Sequence, residues 1–219
     1  MAHDAAVSRW TFKRGGGVAG LAATLLMLAS TALTTVPDEG KSSDQQLVDF
    51  YSDSGTQYRV WVGALVGIVA AMLFLWFFVA LRDRLARIEQ SGLPTLVLGA
   101  GLVFLVFALL AGLVGTALPA SLVYSEELEL TEFDALRVVL ILGNHYLSGA
   151  AATIAAVVVF SSSFLARRHR LYARWLAWAG IVVAILMVPG MLFAGFLLVG
   201  FMIWSALTSV WLVRGGAAS

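Results

Sequence analysis

The chain has no cysteine among its 219 residues. Disulfides, thiolate metal sites and thiol nucleophiles are therefore excluded, and cysteine usage says nothing of redox compartment. Charge is nearly as scarce: Asp, Glu, Lys and Arg make up 12% of the chain, against about 25% in soluble domains. The 29 residues between Arg137 and Arg167 contain none of the four. The prolines number only four, and Pro37, Pro94, Pro119 and Pro189 all fall near the ends of apolar runs.

Apolar residues fill the space these absences leave. The chain is 60% hydrophobic, with a mean hydropathy of +0.90. A water-soluble fold of this length has too little interior to hide that much apolar surface, so its solvent is expected to be lipid. The class that follows is an all-α membrane protein, one domain with the lipid bilayer as its first partner. The net charge of +1 says nothing about partners, because the charges sort by side of the membrane; no nucleic-acid partner is expected.

Apolar runs and their breaks predict six transmembrane helices, at about 15–36, 58–81, 93–118, 132–166, 175–189 and 192–213. Residues 1–14 form an N-terminal segment, 15–214 the membrane domain and 215–219 a tail. Arg9, Lys13 and Arg14 ahead of an apolar run resemble a secretory signal. The 22 uncharged residues from Gly15 to Val36 are long enough to span, so an uncleaved first helix is expected. In the loop after Pro37, Ser43 and Gln46 have the spacing of a capping box. Leu47, Phe50 and Tyr51 then share one face, which predicts a short helix lying at the membrane surface; the alternative is an irregular loop. Thr131 and Asp134 repeat the capping pattern before the fourth span.

Basic residues give an orientation, because Lys and Arg favour the cytoplasmic side of short loops. With the N-terminus inside, Arg9, Lys13, Arg14, Arg82, Arg84, Arg87, Arg167, Arg168, Arg170, Arg174 and Arg214 are cytoplasmic. Only Lys41, Arg59 and Arg137 lie outside, eleven against three. Both termini are thus expected in the cytoplasm. A weak internal echo, Phe78 to Leu85 against Phe164 to Leu171, suits either a duplicated hairpin or the general apolar-then-basic ending of inward helices.

The candidate sites centre on the fourth span. Asn144, His145 and Tyr146 are the most polar triplet in any apolar run. Counting from residue 152, halfway between the flanking arginines, puts His145 about 10 Å from the midplane. There it is either a titrating group within reach of interfacial water or a neutral imidazole bonded to a neighbouring helix. Asn144 and Ser148, four apart, precede Ala151, Ala152 and Ala155, a small-residue face suited to close helix packing. Asn144, His145 and Ser148 together are the candidate polar intramembrane site. Arg167, Arg168, Arg170 and Arg174 are candidate contacts for anionic lipid head groups, although topology explains them equally well.

Glu126, Glu127, Glu129, Glu132 and Asp134 either hold a cation or form a solvated acidic loop; no calcium-loop spacing is present. The other histidines, His3 and His169, lie in inner segments, which argues against bis-His haem, and no Asp, Glu or Cys accompanies His145. The expectation is no cofactor, no metal and no catalytic constellation. Gly16-x-x-x-Gly20 and Gly63-x-x-x-Gly67 permit close helix crossing, within the chain or with a protein partner or second copy.

Three stretches resemble a group of six-span integral membrane proteins of actinobacterial type that has no assigned activity. They are Leu75-Trp76-Phe77-Phe78-Val79-Ala80-Leu81-Arg82-Asp83-Arg84-Leu85, Ala173-Arg174-Trp175-Leu176-Ala177-Trp178-Ala179-Gly180, and Ile203 through Arg214. Within that group Pro stands where this chain has Ala173, and the turn is shorter than Arg167–Tyr172. The resemblance implies a multi-pass protein of the bacterial cytoplasmic (inner) membrane and carries over no site residue. The expected function is a non-enzymatic accessory or scaffold subunit of a cell-envelope assembly. Its alternative is a small transporter or channel with a polar path at Asn144, His145 and Ser148.

Overall fold

The computed structural model describes residues 2–35, 37, 42–124, 138–171, 174–188 and 190–214. Among them every regular element is helical. In order these are α1 (Ala2–Leu33), α2 (Asp44–Ser52), α3 (Ser54–Leu85), α4 (Leu93–Tyr124), a π-helical segment (Leu142–Leu147), α5 (Ser148–Arg168), α6 (Arg174–Met187) and α7 (Gly190–Arg214). Four stretches are long and apolar enough to cross a membrane: Arg14–Leu33, Ser54–Leu85, Leu93–Ala117 and Val138–Arg168. Arg174–Met187 and Leu198–Arg214 are apolar but shorter. At 1.5 Å per residue, the 14 residues of α6 reach about 21 Å, short of a hydrocarbon core of about 30 Å.

Residues 2–14 are helical and continuous with α1, whose apolar span begins at Arg14. One boundary differs from the expectation. The third long helix runs through Pro119 to Tyr124. The apolar span itself ends at Ala117, and membrane helices tolerate proline where neighbouring groups satisfy the freed carbonyl. The predicted capping box at Thr131, the start of the fourth span near Glu132, the acidic cluster 126–134, Pro189 and the tail 215–219 lie outside the described residues.

The short helix after Pro37 is present, and the irregular loop is not. Ser43 Oγ accepts from the Gln46 N–H at 3.3 Å, and Gln46 Oε1 accepts from the Ser43 N–H at 3.0 Å. Both halves of the capping box are therefore made. The helix does not spend its apolar face on lipid as expected. Leu47 and Tyr51 are buried and α2 packs on α3. Asp53 then caps α3, taking the N–H and hydroxyl of Thr56 at 2.8 and 2.7 Å.

The long helices close into a ring: α1 packs on α3, α3 on α4, α4 on α5, α5 on α7 and α7 on α1, with α6 against α5 and α7. Glycine makes the closest crossings. A Cβ on Gly16 would collide with that of Ala80, and one on Gly20 with Ser209 and the Phe77 ring. On α3, a Cβ at Gly63 would come within 2.7 Å of Thr34, and one at Gly67 within 2.9 Å of Ser30. Both Gly-x-x-x-Gly pairs thus serve contacts within the chain, where missing side chains let backbones approach. Gly99 and Gly112 on α4 meet nothing within 4 Å and serve no such contact.

Arginines mark one end of the ring. Arg84 lies over the Trp211 ring, whose Nε1 donates to the Leu171 carbonyl at 2.9 Å. Glu89, after α3, meets His169, after α5. This arginine end is therefore where α3, α5 and α7 finish. The opposite end carries α2, with Arg59 donating to the Thr35 carbonyl. The internal echo does not extend to environment, since Phe78 is buried and Phe164 exposed.

Candidate functional site: a hydroxyl-lined cavity closed by aromatic rings

The polar triplet sits on the one stretch of π-helix among the described residues, Leu142–Leu147. Such segments widen a helix by one residue per turn and often occur at functional sites. Gly143 lets it approach α4: a Cβ there would lie 2.7 Å from the Gly115 nitrogen. The wide turn closes on Ser148, whose hydroxyl donates to the Gly143 carbonyl five residues back at 3.1 Å. The α-helical spacing that paired Asn144 with Ser148 therefore does not apply across this turn. His145 and Ser148 line a common space, and the Asn144 side chain is outside the described residues. Among the described residues no hydrogen bond reaches the His145 imidazole. Ala151, Ala152 and Ala155 are all buried.

That space is a cavity of about 480 Å³ in the α2 half of the ring, to which all five ring helices contribute. Its apolar walls mix small residues (Ala64, Gly67 and Ala71 from α3, Ala108, Ala111 and Gly112 from α4, Ala151 from α5) with the larger Met27, Ile68, Leu109, Leu113 and Leu198. Its polar groups are Ser30, Thr31, Thr34, Thr35, Thr116, Ser148 and His145, and none of its lining residues is acidic, Lys or Arg.

The hydroxyls share one bonding habit. Thr31, Thr34, Thr35 and Thr116 each donate to the carbonyl four residues back, at 2.9, 2.9, 2.9 and 2.6 Å. Ser30 donates across to the Gly63 carbonyl at 2.8 Å. With their protons spent on backbone, these oxygens have only lone pairs left to offer. The cavity is thus an acceptor-rich surface without carboxylate, Lys or Arg, matched to an occupant that donates hydrogen bonds.

Packed rings close it toward the arginine end. On each ring helix, the residue one turn beyond a lining residue belongs to the buried core. Met27 is followed by Ala23, Ala71 by Phe74, Ala108 by Phe104, Ala151 by Ala155 and Leu198 by Phe201. Phe74, Phe77, Phe78, Phe104, Phe201 and Trp204 form the floor, with centroids 4.7 Å apart for Phe104 and Phe201 and 5.6 Å for Phe74 and Phe201. Both pairs are tilted, at 48° and 45°, and lie within the range of favourable aromatic contacts.

Below the rings lie polar atoms that composition alone did not single out. Thr24 and Ser205 share a 2.7 Å hydrogen bond between α1 and α7. Ser163 Oγ, Ser209 Oγ and Trp204 Nε1 are buried with no hydrogen-bond partner. The serine run 161–163 and the Ser205, Thr208, Ser209 face of α7 were the available signals. They read as ordinary membrane-helix serines until tertiary contact showed which were unsatisfied.

The four arginines are also brought together. Arg167, Arg168, Arg170 and Arg174 line a groove of about 750 Å³ at the turn between α5 and α6, with Phe164 at its edge. Arg167 stacks on Trp178 at 4.0 Å. Arg168 is 3.4 Å from Glu89, whose carboxylate also meets His169 Nε2 at 2.9 Å. The His169 bond, helped by the Ser91 N–H and Arg168, holds the Glu89 carboxyl below its ordinary value against a desolvation penalty. Glu89 was missed from sequence because it lies 80 residues from His169.

Among the described residues no three His, Asp or Glu side chains gather as metal ligands. No family model, curated protein or solved structure matches the chain.

Proposed function

We propose that this is a six-span protein of the bacterial cytoplasmic membrane, with both termini inside, and that its cavity is the loading site of a small transporter open to the outer side. The occupant is a small uncharged molecule that donates hydrogen bonds. One observation carries the reading: a cavity bounded by all five ring helices offers acceptor oxygens and one imidazole, and it ends at a packed floor. An open channel would need a polar route through that floor. A transporter needs the floor to part in a second state, and the unpartnered Ser163, Ser209 and Trp204 atoms favour one. Buried without partners they cost stability, and water entering that half would satisfy them.

Because the chain lacks cysteine, single thiols test this directly. Ser148→Cys is expected to react with a membrane-impermeant maleimide added outside intact cells, and Ala155→Cys to stay unlabelled. An unreactive Ser148→Cys in folded protein would sink the loading site. In proteoliposomes, uptake of neutral polyols or amides should fall at least about tenfold when Gly112→Leu fills the cavity.

The accessory-subunit reading stands second, favoured by the same floor. Six interlocked rings suit a static scaffold, and its mark would be a stoichiometric partner co-purifying in mild detergent with no solute moved in liposomes.

A further inference from the structure

The groove at the α5–α6 turn carries more positive charge than the fold uses. Arg167 is committed to the Trp178 face and Arg168 to Glu89. Among the described residues Arg170 and Arg174 have no ion-pair partner, and both line the groove. Arg170 also occupies a backbone position that disfavours it. The Leu171 N–H reaches back to the Ala166 carbonyl at 3.0 Å, closing α5 with the six-to-one bond of a Schellman motif. The residue inside that loop takes φ 53°, and it is Arg170 instead of glycine. An arginine there is strained relative to glycine, yet it brings a guanidinium to the groove.

Beside this cationic mouth the surface turns apolar. Phe164 lines the groove and stacks on Phe160, centroids 6.2 Å apart, both exposed. Trp178 is also exposed, with Val182 one turn further along α6. Unpaired guanidiniums above an exposed apolar strip match a molecule with an anionic head and a hydrocarbon tail, such as an acidic phospholipid. A guanidinium fork suits a phosphodiester, since it holds two oxygens at once.

We infer that this groove binds one anionic phospholipid, its phosphate held by Arg170 and Arg174 and an acyl chain lying along Phe164 and Phe160. Arg167 and Arg168 set the local potential without gripping the phosphate. Phosphate chemistry alone would also admit a free anion, but the apolar strip gives the lipid the advantage.

The test is native mass spectrometry of the detergent-solubilised protein, titrated with dioleoyl phosphatidylglycerol or dioleoyl phosphatidylcholine. The wild type should retain one phosphatidylglycerol, preferred over phosphatidylcholine by about tenfold or more. Arg170→Ala with Arg174→Ala should erase the preference, and Arg170→Lys with Arg174→Lys should restore part of it. Arg170→Gly guards against misfolding as the cause: relieved of strain, it should melt at a higher temperature and still bind less phosphatidylglycerol. Equal retention of the two lipids by the wild type, or undiminished preference in the double alanine variant, would overturn the proposal. Full displacement of phosphatidylglycerol by millimolar inorganic phosphate would overturn it too, marking a free-anion site.

Discussion

The two halves of the ring use the same five helices for opposite ends. Toward the arginine end, the large rings of Phe74, Phe77, Phe78, Phe104, Phe201 and Trp204 fill the interior. Toward α2, the same helices leave about 480 Å³ unfilled, lined by Ala, Gly, Ser and Thr together with Met27, Ile68, Leu109, Leu113 and Leu198. Helix α4 shows the change within itself. A Cβ on Gly101 would strike the Phe78 ring at 2.8 Å, whereas one on Gly112 would meet nothing. On this helix Gly101 marks a contact in the packed half, and Gly112 marks space beside the cavity. In lipid, burial of apolar surface drives little, because the tails are as apolar as leucine. Ring packing must hold the bundle, and the half without rings is free to hold something else.

Breaking the packed half should cost most. Phe104→Ala removes a ring touching Phe74, Phe78 and Phe201 and is expected to destabilise by about 3 kcal/mol, chiefly through the cavity left behind. Unfolding in mixed micelles would measure it, and a loss under about 1 kcal/mol would mean that the floor is not the keystone. Gly101→Leu should cost about 1–3 kcal/mol through overpacking. Gly112→Leu on the same helix should change stability by less than about 0.5 kcal/mol, while protecting Ser148→Cys from maleimide. Equal effects of the two leucines would erase the contrast between the halves.

The ends of the bundle sharpen the comparison through pH. Glu89 has a folded-state pKa below its ordinary value of 4.5, first because of His169. The unfolded chain therefore binds the proton more readily. The stabilisation is complete above the ordinary value and is lost as pH falls through the lower folded one. Wild-type melting temperature should drop on acidification through this window, and Glu89→Gln should show a shallower drop. Parallel curves would mean that Glu89 contributes nothing to the arginine end. Asp53 at the α2 end is lowered too, first by the Thr56 hydroxyl. Asp53→Asn keeps an acceptor for the Thr56 N–H, so it should alter the acid slope with the smallest effect on stability at neutral pH.

Much of the molecule was legible from periodicity and end signals. The capping box at Ser43 and the termination of α3, α5 and α7 by arginine follow from local rules, because each depends on residues within a turn or two; the Gly-x-x-x-Gly spacing was plain too, but not which helices it would meet. The His145 region was legible only as an oddity. The π-helical turn depends on Gly143 meeting Gly115 on another helix, and nothing nearby in sequence announces that meeting. The arginines showed the same split, for charge density was plain while the unpaired state of Arg170 and Arg174 was not.

What the sequence determined by itself was the solvent and the class: 60% hydrophobic residues with 12% charged leave lipid as the medium and helices as the way to satisfy backbone groups there. It also determined where charge collects, since basic residues follow apolar runs in the chain. Only the tertiary structure decided which small residues make contacts and which make space. A glycine or an alanine carries no mark of its neighbour, and a hydroxyl bonded to its own helix looks the same in a packed seam as in a cavity wall. Which side chains around His145 line a void was a question about four other helices, and their arrangement places His145 and Ser148 there.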